Sequence, residues 1–173
     1  TSFIPGTRSV YFTGTGVGKG AYQFINFGNI SHKENLLVFS AWAKAQFAVR
    51  STDKTRFEIS VDATYENGQK ITYSCKYNHK ITDWQFAAVA VETMKLFPKT
   101  NGTGYESSML SNVGLWLDFA GNNGSCYFNA PRLEFCNGEI TEYMLTEAED
   151  ENETNYVMLE TSVNNGTHTV TTT

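Results

Sequence analysis

Cysteine and proline are scarce in this chain, with three of each among 173 residues. The cysteines, Cys75, Cys126 and Cys136, form an odd set without CxxC spacing, so the sequence predicts neither a zinc site nor a disulfide framework. We expect free thiols, with a Cys126–Cys136 bridge as the one pairing local enough to keep as an alternative. So few prolines leave room for long, uninterrupted strands.

Long apolar runs are also missing. No segment approaches the roughly 18 to 20 consecutive apolar residues of a membrane-spanning helix, and the first residues lack a charged-then-apolar secretion signal. We therefore expect no membrane insertion. The polar final residues, THTVTTT, are typical of a connector, so we expect a monomeric module within a larger multidomain chain.

A concentrated basic surface is absent as well. The net charge is −5, but residues 134–173 hold nine of the 18 acidic side chains and no Lys or Arg, which leaves nine acidic against 13 basic residues in 1–133. The basic residues are scattered along the chain, so no face is predicted to neutralise phosphates and nucleic acid is excluded as a ligand. The acidic run 147–153 is expected to be a solvated linker.

Aromatic residues, in contrast, are abundant: 12 Phe, 9 Tyr and 3 Trp make up 14% of the chain. Strand-like runs are separated by Gly, Asn and Asp about every 8 to 20 residues, which predicts an all-β fold, an antiparallel β-sandwich of the jelly-roll type. Residues 1–138 form the predicted domain and 139–173 an acidic tail or linker. About eight strands are expected, near residues 8–14, 20–27, 35–45, 55–65, 69–77, 83–91, 112–119 and 125–135.

Local patterns predict one hairpin and the faces of two strands. Asn67-Gly68 between two alternating runs predicts a hairpin turn. Alternation places two apolar sets in the core: Phe57, Ile59, Val61 and Ala63, and Val113, Leu115, Leu117 and Phe119. Trp116 and Asp118 then lie on the opposite, outward face of their strand. On the strand near 35–45, Trp42 likewise faces outward if Ala41 and Ala43 point into the core. A Trp on a polar sheet face is typical of a sugar-binding surface.

Motifs for catalysis are not found. A glycosidase needs two carboxyl groups flanking the scissile bond, and Glu58 and Asp62 lie four residues apart on one strand, roughly 13 Å, which is too far. The three His residues have no Ser or Cys elbow nearby and no HExxH. The glycine-rich segment 14–20 lacks the phosphate-loop register and is expected to be a turn. We therefore expect a protein that is not an enzyme.

Four segments in this order resemble the carbohydrate-binding-module-like jelly rolls of bacterial YD-repeat (Rhs-type) cell-surface proteins. They are GTRSVYFTGTGVGKGAYQFINF, LLVFSAWAKA, ITDWQFAAVAVE and CYFNAPRLEF, and together they span about residues 6–136. The resemblance implies an extracellular or cell-surface location. It also implies mainly packing roles for Trp42 and Trp84. Asn129 stands where such modules often have an Asp that helps to bind calcium. An Asn keeps a carbonyl ligand but loses the charge, so the resemblance implies a structural calcium with Asn129 as a weaker ligand.

Two functions follow from these observations. The first is a non-catalytic module that binds a polysaccharide or cell-surface glycan through an aromatic-bearing sheet face, with Trp116, Trp42, Tyr22, Asp118, Arg56 and Glu58 as the binding residues. The second is a structural or adhesive spacer of a YD-repeat protein that has no sugar ligand. For Trp116, packing against the tail, on Tyr156 or Leu159, is the alternative to contact with a sugar.

Overall fold

The computed structural model describes residues 7–13, 20–28, 31–52, 54–142 and 159–163. Within these ranges all regular elements are β-strands. No helix in this part of the chain is long and apolar enough to cross a membrane. The strands are β1 (Ser9–Thr13), β2 (Gly20–Asn26), β3 (Leu36–Gln46), β4 (Glu58–Tyr65), β5 (Lys70–Lys76), β6 (Gln85–Glu92), β7 (Met94–Pro98), β8 (Tyr105–Asp118), β9 (Ser125–Cys136), β10 (Gly138–Glu142) and β11 (Leu159–Val163).

Nine of these strands form two antiparallel sheets that pack face to face around one core. The four-stranded sheet has the order β1-β9-β3-β6. The five-stranded sheet has the order β2-β8-β4-β5, and β7 also pairs with β8. Leaving β7 aside, the first, third, sixth and eighth strands form one sheet and the other four form the second, which is the Greek-key pairing of a jelly roll. The predicted fold class is therefore confirmed.

The core lies between the two sheets and contains both of the predicted apolar sets. At its centre the ring of Phe57 stacks on Tyr77, with centroids 4.8 Å apart. The Tyr77 hydroxyl donates a hydrogen bond to the carbonyl oxygen of Ala41 at 2.7 Å, so its polar group is satisfied inside the core. Burying an aromatic side chain of this size contributes about 1.5–3 kcal/mol.

The Asn67-Gly68 hairpin is confirmed between β4 and β5. Gly68 has φ +83°, a conformation that glycine adopts without a steric cost. Its N–H donates to the Tyr65 carbonyl, and the Tyr65 N–H donates to the Gln69 carbonyl, both at 2.9 Å. The turn brings Thr64 opposite Lys70 and thereby sets the register of the pair.

A second hairpin was not predicted from the sequence. β8 begins at Tyr105, well before the predicted start near residue 112, and its first half pairs with β7, with Met94 opposite Met109 and Pro98 opposite Tyr105. Segment 94–98 ends in proline and is followed by the glycine- and asparagine-rich segment 99–104, so it has the composition of a loop. β7 tolerates Pro98 because it pairs only with β8.

The three cysteines are free, as expected: Cys75 and Cys126 are buried and Cys136 is half-buried. Cys126 and Cys136 lie at opposite ends of β9, roughly 30 Å apart at 3.3 Å per residue, so the alternative bridge is excluded. Burial raises the pKa of the Cys75 thiol to about 12. Burial also raises the pKa of the Cys126 thiol, so Cys75 and Cys126 are expected to act as packing groups rather than as nucleophiles.

The predicted tail contains further strand structure. β10 and β11 pair antiparallel, with Gly138 opposite Val163 and Glu142 opposite Leu159. The side chain of Asn35 receives a hydrogen bond from the Gly138 N–H at 2.9 Å, just after the end of β9. The acidic run 147–153 lies outside the described residues, and the division of the chain after residue 138 remains a prediction.

Candidate functional site

The outer face of the five-stranded sheet carries most of the residues predicted to bind a ligand. Strand pairing arranges its side chains in rows that cross β2, β8, β4 and β5. Three rows matter for the site: Gly20, Asp118, Glu58 and Lys76; Tyr22, Trp116, Ser60 and Ser74; and Phe24, Gly114, Asp62 and Thr72. We call this surface the outer face.

Three aromatic rings lie together on the β2 and β8 side of the outer face. Tyr22 packs on Trp116 with ring centroids 4.5 Å apart and planes inclined by 43°. Tyr22 is 51% exposed and Phe24 is 54% exposed, whereas Trp116 is half-buried and therefore less accessible. The rings that a ligand can reach most easily are therefore those of Tyr22 and Phe24.

Asp62 connects three strands beneath these rings. Its Oδ2 accepts a hydrogen bond from the Trp116 Nε1–H at 2.9 Å, and its Oδ1 accepts one from the Thr72 hydroxyl at 2.7 Å. The described partners of Trp116 are thus Tyr22 and Asp62. The alternative partners Tyr156 and Leu159 fall where the structure describes no side chains.

A charged cluster occupies one end of the outer face, beside the aromatic rings. Arg56 Nη1 lies 3.7 Å from Glu58 Oε1 and 3.8 Å from Asp118 Oδ2. Ser51 Oγ donates a hydrogen bond to Glu58 Oε2 at 3.2 Å. The Ala120 N–H donates one to Asp118 Oδ1 at 3.0 Å. The Arg56 side chain is 46% exposed and the two carboxylates are nearly covered, so the guanidinium is the part that faces solvent.

Burial is the main influence on the pKa of both carboxyl groups. Desolvation raises the pKa of Glu58, against the opposing effects of Arg56 and of the Ser51 hydrogen bond. Desolvation also raises the pKa of Asp118, against the Ala120 N–H and Arg56. The guanidinium therefore compensates only part of the cost of burying the two charges.

Trp42 does not join this site. It lies on the four-stranded sheet, on the side that points away from the core, and its ring packs against Phe86 with centroids 5.2 Å apart. Packed sheets are about 10 Å apart and the core fills the space between them, so Trp42 and Trp116 face opposite sides of the sandwich. The other five predicted residues, Trp116, Tyr22, Asp118, Arg56 and Glu58, lie together.

Trp84 is half-buried just before β6 and is not part of the core cluster. Trp42 and Trp84 therefore have less buried positions than the aromatic residues of the core. The packing role that the resemblance implies for Trp42 is nevertheless consistent with its contact to Phe86.

Asn129 is fully buried and ties the start of the described chain to β9. Its side-chain N–H groups donate to Thr7 Oγ1 at 2.9 Å and to the Arg8 carbonyl at 3.1 Å. Calcium sites usually contain several carboxylates. Among the described residues no group of three or more His, Cys, Asp or Glu side chains could hold a metal ion. A calcium ion with Asn129 as a ligand remains an expectation from the resemblance.

Two residues of the site escaped the sequence prediction. Phe24 lies two positions after Tyr22 on β2, so side-chain alternation alone could have identified it. Asp62 was considered only as half of a catalytic pair with Glu58, and its link to Trp116 and Thr72 depends on the pairing of three strands, which no local pattern reveals.

No protein-family model and no curated protein matches the sequence. Among solved structures, a protein described as "Family 16 Carbohydrate Binding Module-2" is similar at 20% identity and a TM-score of 0.39, over 73% of this chain and 75% of that one. The CBM22-1 xylan-binding domain of Paenibacillus barcinonensis Xyn10C is similar at 13% identity and a TM-score of 0.42, over 76% and 74%. Similarity at this level does not indicate what the present chain binds.

Proposed function

We propose that this chain is a non-catalytic carbohydrate-binding module that holds a polysaccharide on the outer face of the five-stranded sheet. The observation that carries the proposal is the placement of exposed aromatic rings, Tyr22 and Phe24, beside the cluster of Arg56, Glu58 and Asp118. Sugar rings present C–H faces that pack on aromatic rings and hydroxyl groups that need fixed polar partners. The outer face offers both.

The aromatic and polar parts are close enough to contact one ligand. Asp118 follows Trp116 by two residues on β8, about 6–7 Å along the strand, and Gly20 precedes Tyr22 by the same distance on β2. Gly20 has no side chain to separate Tyr22 from Asp118. In the proposed function a saccharide stacked on Tyr22 extends over Gly20 towards Asp118, where its hydroxyl groups meet the Arg56 guanidinium.

The geometry of the carboxylates supports binding over hydrolysis. Both approach the same nitrogen of Arg56, so the guanidinium occupies the space between them. A glycosidase instead needs that space for the scissile bond, with one carboxyl group on each side. In the proposed function Glu58 and Asp118 orient Arg56, and its exposed guanidinium donates hydrogen bonds to the ligand.

The charges of the site favour an uncharged polysaccharide. Glu58 and Asp118 share Arg56, and both oxygens of Asp62 are used by Trp116 and Thr72. A uronate or a sulfated sugar would instead require an unopposed cation beside the aromatic rings. We propose further that the module works at an extracellular or cell-surface site, as a monomer within a YD-repeat chain.

Affinity electrophoresis and pull-down with xylan, mannan, mixed-linkage β-glucan, cellulose and chitin test this function. The wild type is expected to bind at least one of them, and a Tyr22→Ala, Phe24→Ala double variant is expected to lose that binding. Tyr11→Ala is the matched control, because Tyr11 is 50% exposed on the other sheet. Binding to none of them would favour the spacer function, and undiminished binding by the double variant would refute this site.

A further inference from the structure

The only polar atom of the Trp116 side chain, Nε1, is hydrogen-bonded to another side chain of the protein. Its Nε1–H donates to Asp62 Oδ2, and the second oxygen of that carboxylate is held by the Thr72 hydroxyl on the neighbouring strand. Two hydrogen bonds in different directions fix the carboxylate, and the carboxylate in turn fixes the plane of the indole. The indole N–H is thus unavailable to a ligand.

Gly114 determines where the ring of Tyr22 lies. A Cβ atom at position 114 would stand 2.7 Å from Tyr22 Cε2 and 2.8 Å from its hydroxyl oxygen, both far inside van der Waals contact. Gly114 is not one of the described glycines with positive φ, so its backbone does not require glycine. What requires glycine is the ring of Tyr22, which lies across β8 and packs on Trp116.

From these contacts we infer that Asp62 and Gly114 are positioning residues that hold Trp116 and Tyr22 as one preformed surface, on which the glycan contacts Tyr22 and Phe24 while Trp116 supports Tyr22. The inference rests on the proposed function and specifies how the site works. It assigns Trp116 a supporting role because Trp116 is the least exposed of the three rings.

Positioning matters because β2 is the edge strand of its sheet. An exposed tyrosine on an edge strand can occupy several rotamers, and ordering it on binding costs conformational entropy. Here the indole packs on one side of the Tyr22 ring and the space over Gly114 accommodates it. The ring is therefore ordered before the ligand arrives, and losing either support should weaken binding without removing any atom that touches the ligand.

The test compares Asp62→Ala with Asp62→Asn. Asparagine can accept the indole N–H with its oxygen and donate to Thr72 with its nitrogen, whereas alanine can do neither. Affinity is measured for whichever polysaccharide of the panel above the wild type binds most tightly. Asp62→Ala is expected to weaken binding about tenfold, and Asp62→Asn to stay within about twofold of the wild type.

The indole N–H resonance of Trp116 in a two-dimensional NMR spectrum reports on positioning directly. The chain has three Trp residues, and Trp116→Phe identifies which resonance belongs to Trp116. That resonance is expected to shift in Asp62→Ala and to stay close to its wild-type position in Asp62→Asn. Asp83→Asn, which changes an exposed acid beside Lys44 on the other sheet, is the control for both measurements.

Gly114→Ala provides an independent arm, because the new methyl group should displace Tyr22 and weaken binding as much as Tyr22→Ala does. Wild-type affinity in Gly114→Ala, or in Asp62→Ala with a shifted indole resonance, would overturn the inference while leaving the proposed function intact. If the wild type itself binds no polysaccharide of the panel, the proposed function fails and the inference fails with it.

Discussion

Asp118 on β8 lies directly opposite Glu58 on β4, so two largely buried carboxylates face each other across neighbouring strands. Like charges in that arrangement are unfavourable, and Arg56 sits against both of them. Burial nevertheless raises the pKa of each carboxyl group. The ionised forms of the pair therefore lower the free energy of unfolding at neutral pH, although they keep polar groups on the outer face.

The pH dependence of stability should report this pair. A carboxyl group with a raised pKa in the folded protein favours folding when it is protonated, below the ordinary values near pH 4, and this contribution is lost as the pH rises through the raised value. The melting temperature of the wild type, relative to the Glu58→Gln, Asp118→Asn variant, should therefore fall from about pH 4 to pH 7. A difference that grows in the opposite direction would contradict the raised pKa values.

Two glycines with positive φ should respond differently to alanine. Gly68 has open space around its Cβ position, so Gly68→Ala adds only backbone strain, about 1 kcal/mol. At Gly121 a Cβ would lie 2.3 Å from the Lys54 carbonyl oxygen, so Gly121→Ala adds a clash with the backbone. Urea denaturation should show the larger loss for Gly121→Ala. Equal losses would mean that residue 54 moves freely away.

Sequence patterns predicted the parts of this fold that depend on neighbouring residues in the chain. Alternation identified the buried face of β4, and Asn67-Gly68 identified its turn, because both are local properties. Alternation could not tell which sheet a strand joins, so Trp42 and Trp116 were grouped although they lie on opposite faces. The opposition of Asp118 and Glu58 likewise arises from a pairing of strands 60 residues apart in the chain.

Truncation of aromatic residues should separate the core from its periphery. Phe57 is fully buried and stacks on Tyr77, so Phe57→Ala should cost about 3–5 kcal/mol. Trp84 is half-buried and outside the core cluster, so Trp84→Ala should cost clearly less despite the larger side chain. Chemical denaturation of the two variants measures this, and a larger loss for Trp84→Ala would place that residue in the core.

Asn129 allows the calcium expectation to be tested against its observed contacts. Asn129→Ala removes the hydrogen bonds to Thr7 and Arg8 from a fully buried site, so the melting temperature should drop. If Asn129 acts through these hydrogen bonds and not as a calcium ligand, the melting temperature of Asn129→Ala drops by the same amount with millimolar calcium and with chelator. A rise in wild-type melting temperature with calcium that is absent in the variant would instead establish Asn129 as a ligand.

Arg56 should link stability and binding through its two carboxylate neighbours. Arg56→Ala removes the guanidinium that Glu58 and Asp118 share, which should raise the pKa of both groups further. The stability lost relative to the wild type should therefore be largest at neutral pH and should disappear at low pH, where both carboxyl groups are protonated in either protein.

Arg56→Lys is the matched variant, because it keeps the positive charge but not the planar group that can serve two carboxylates and a ligand at once. It should recover most of the lost stability at neutral pH but not the affinity for polysaccharide. Thermal unfolding between pH 4 and pH 8 and titration with the bound polysaccharide give the two readouts. Recovery of both by lysine would mean that only the charge of Arg56 matters, and recovery of neither would mean that the side chain acts through packing alone.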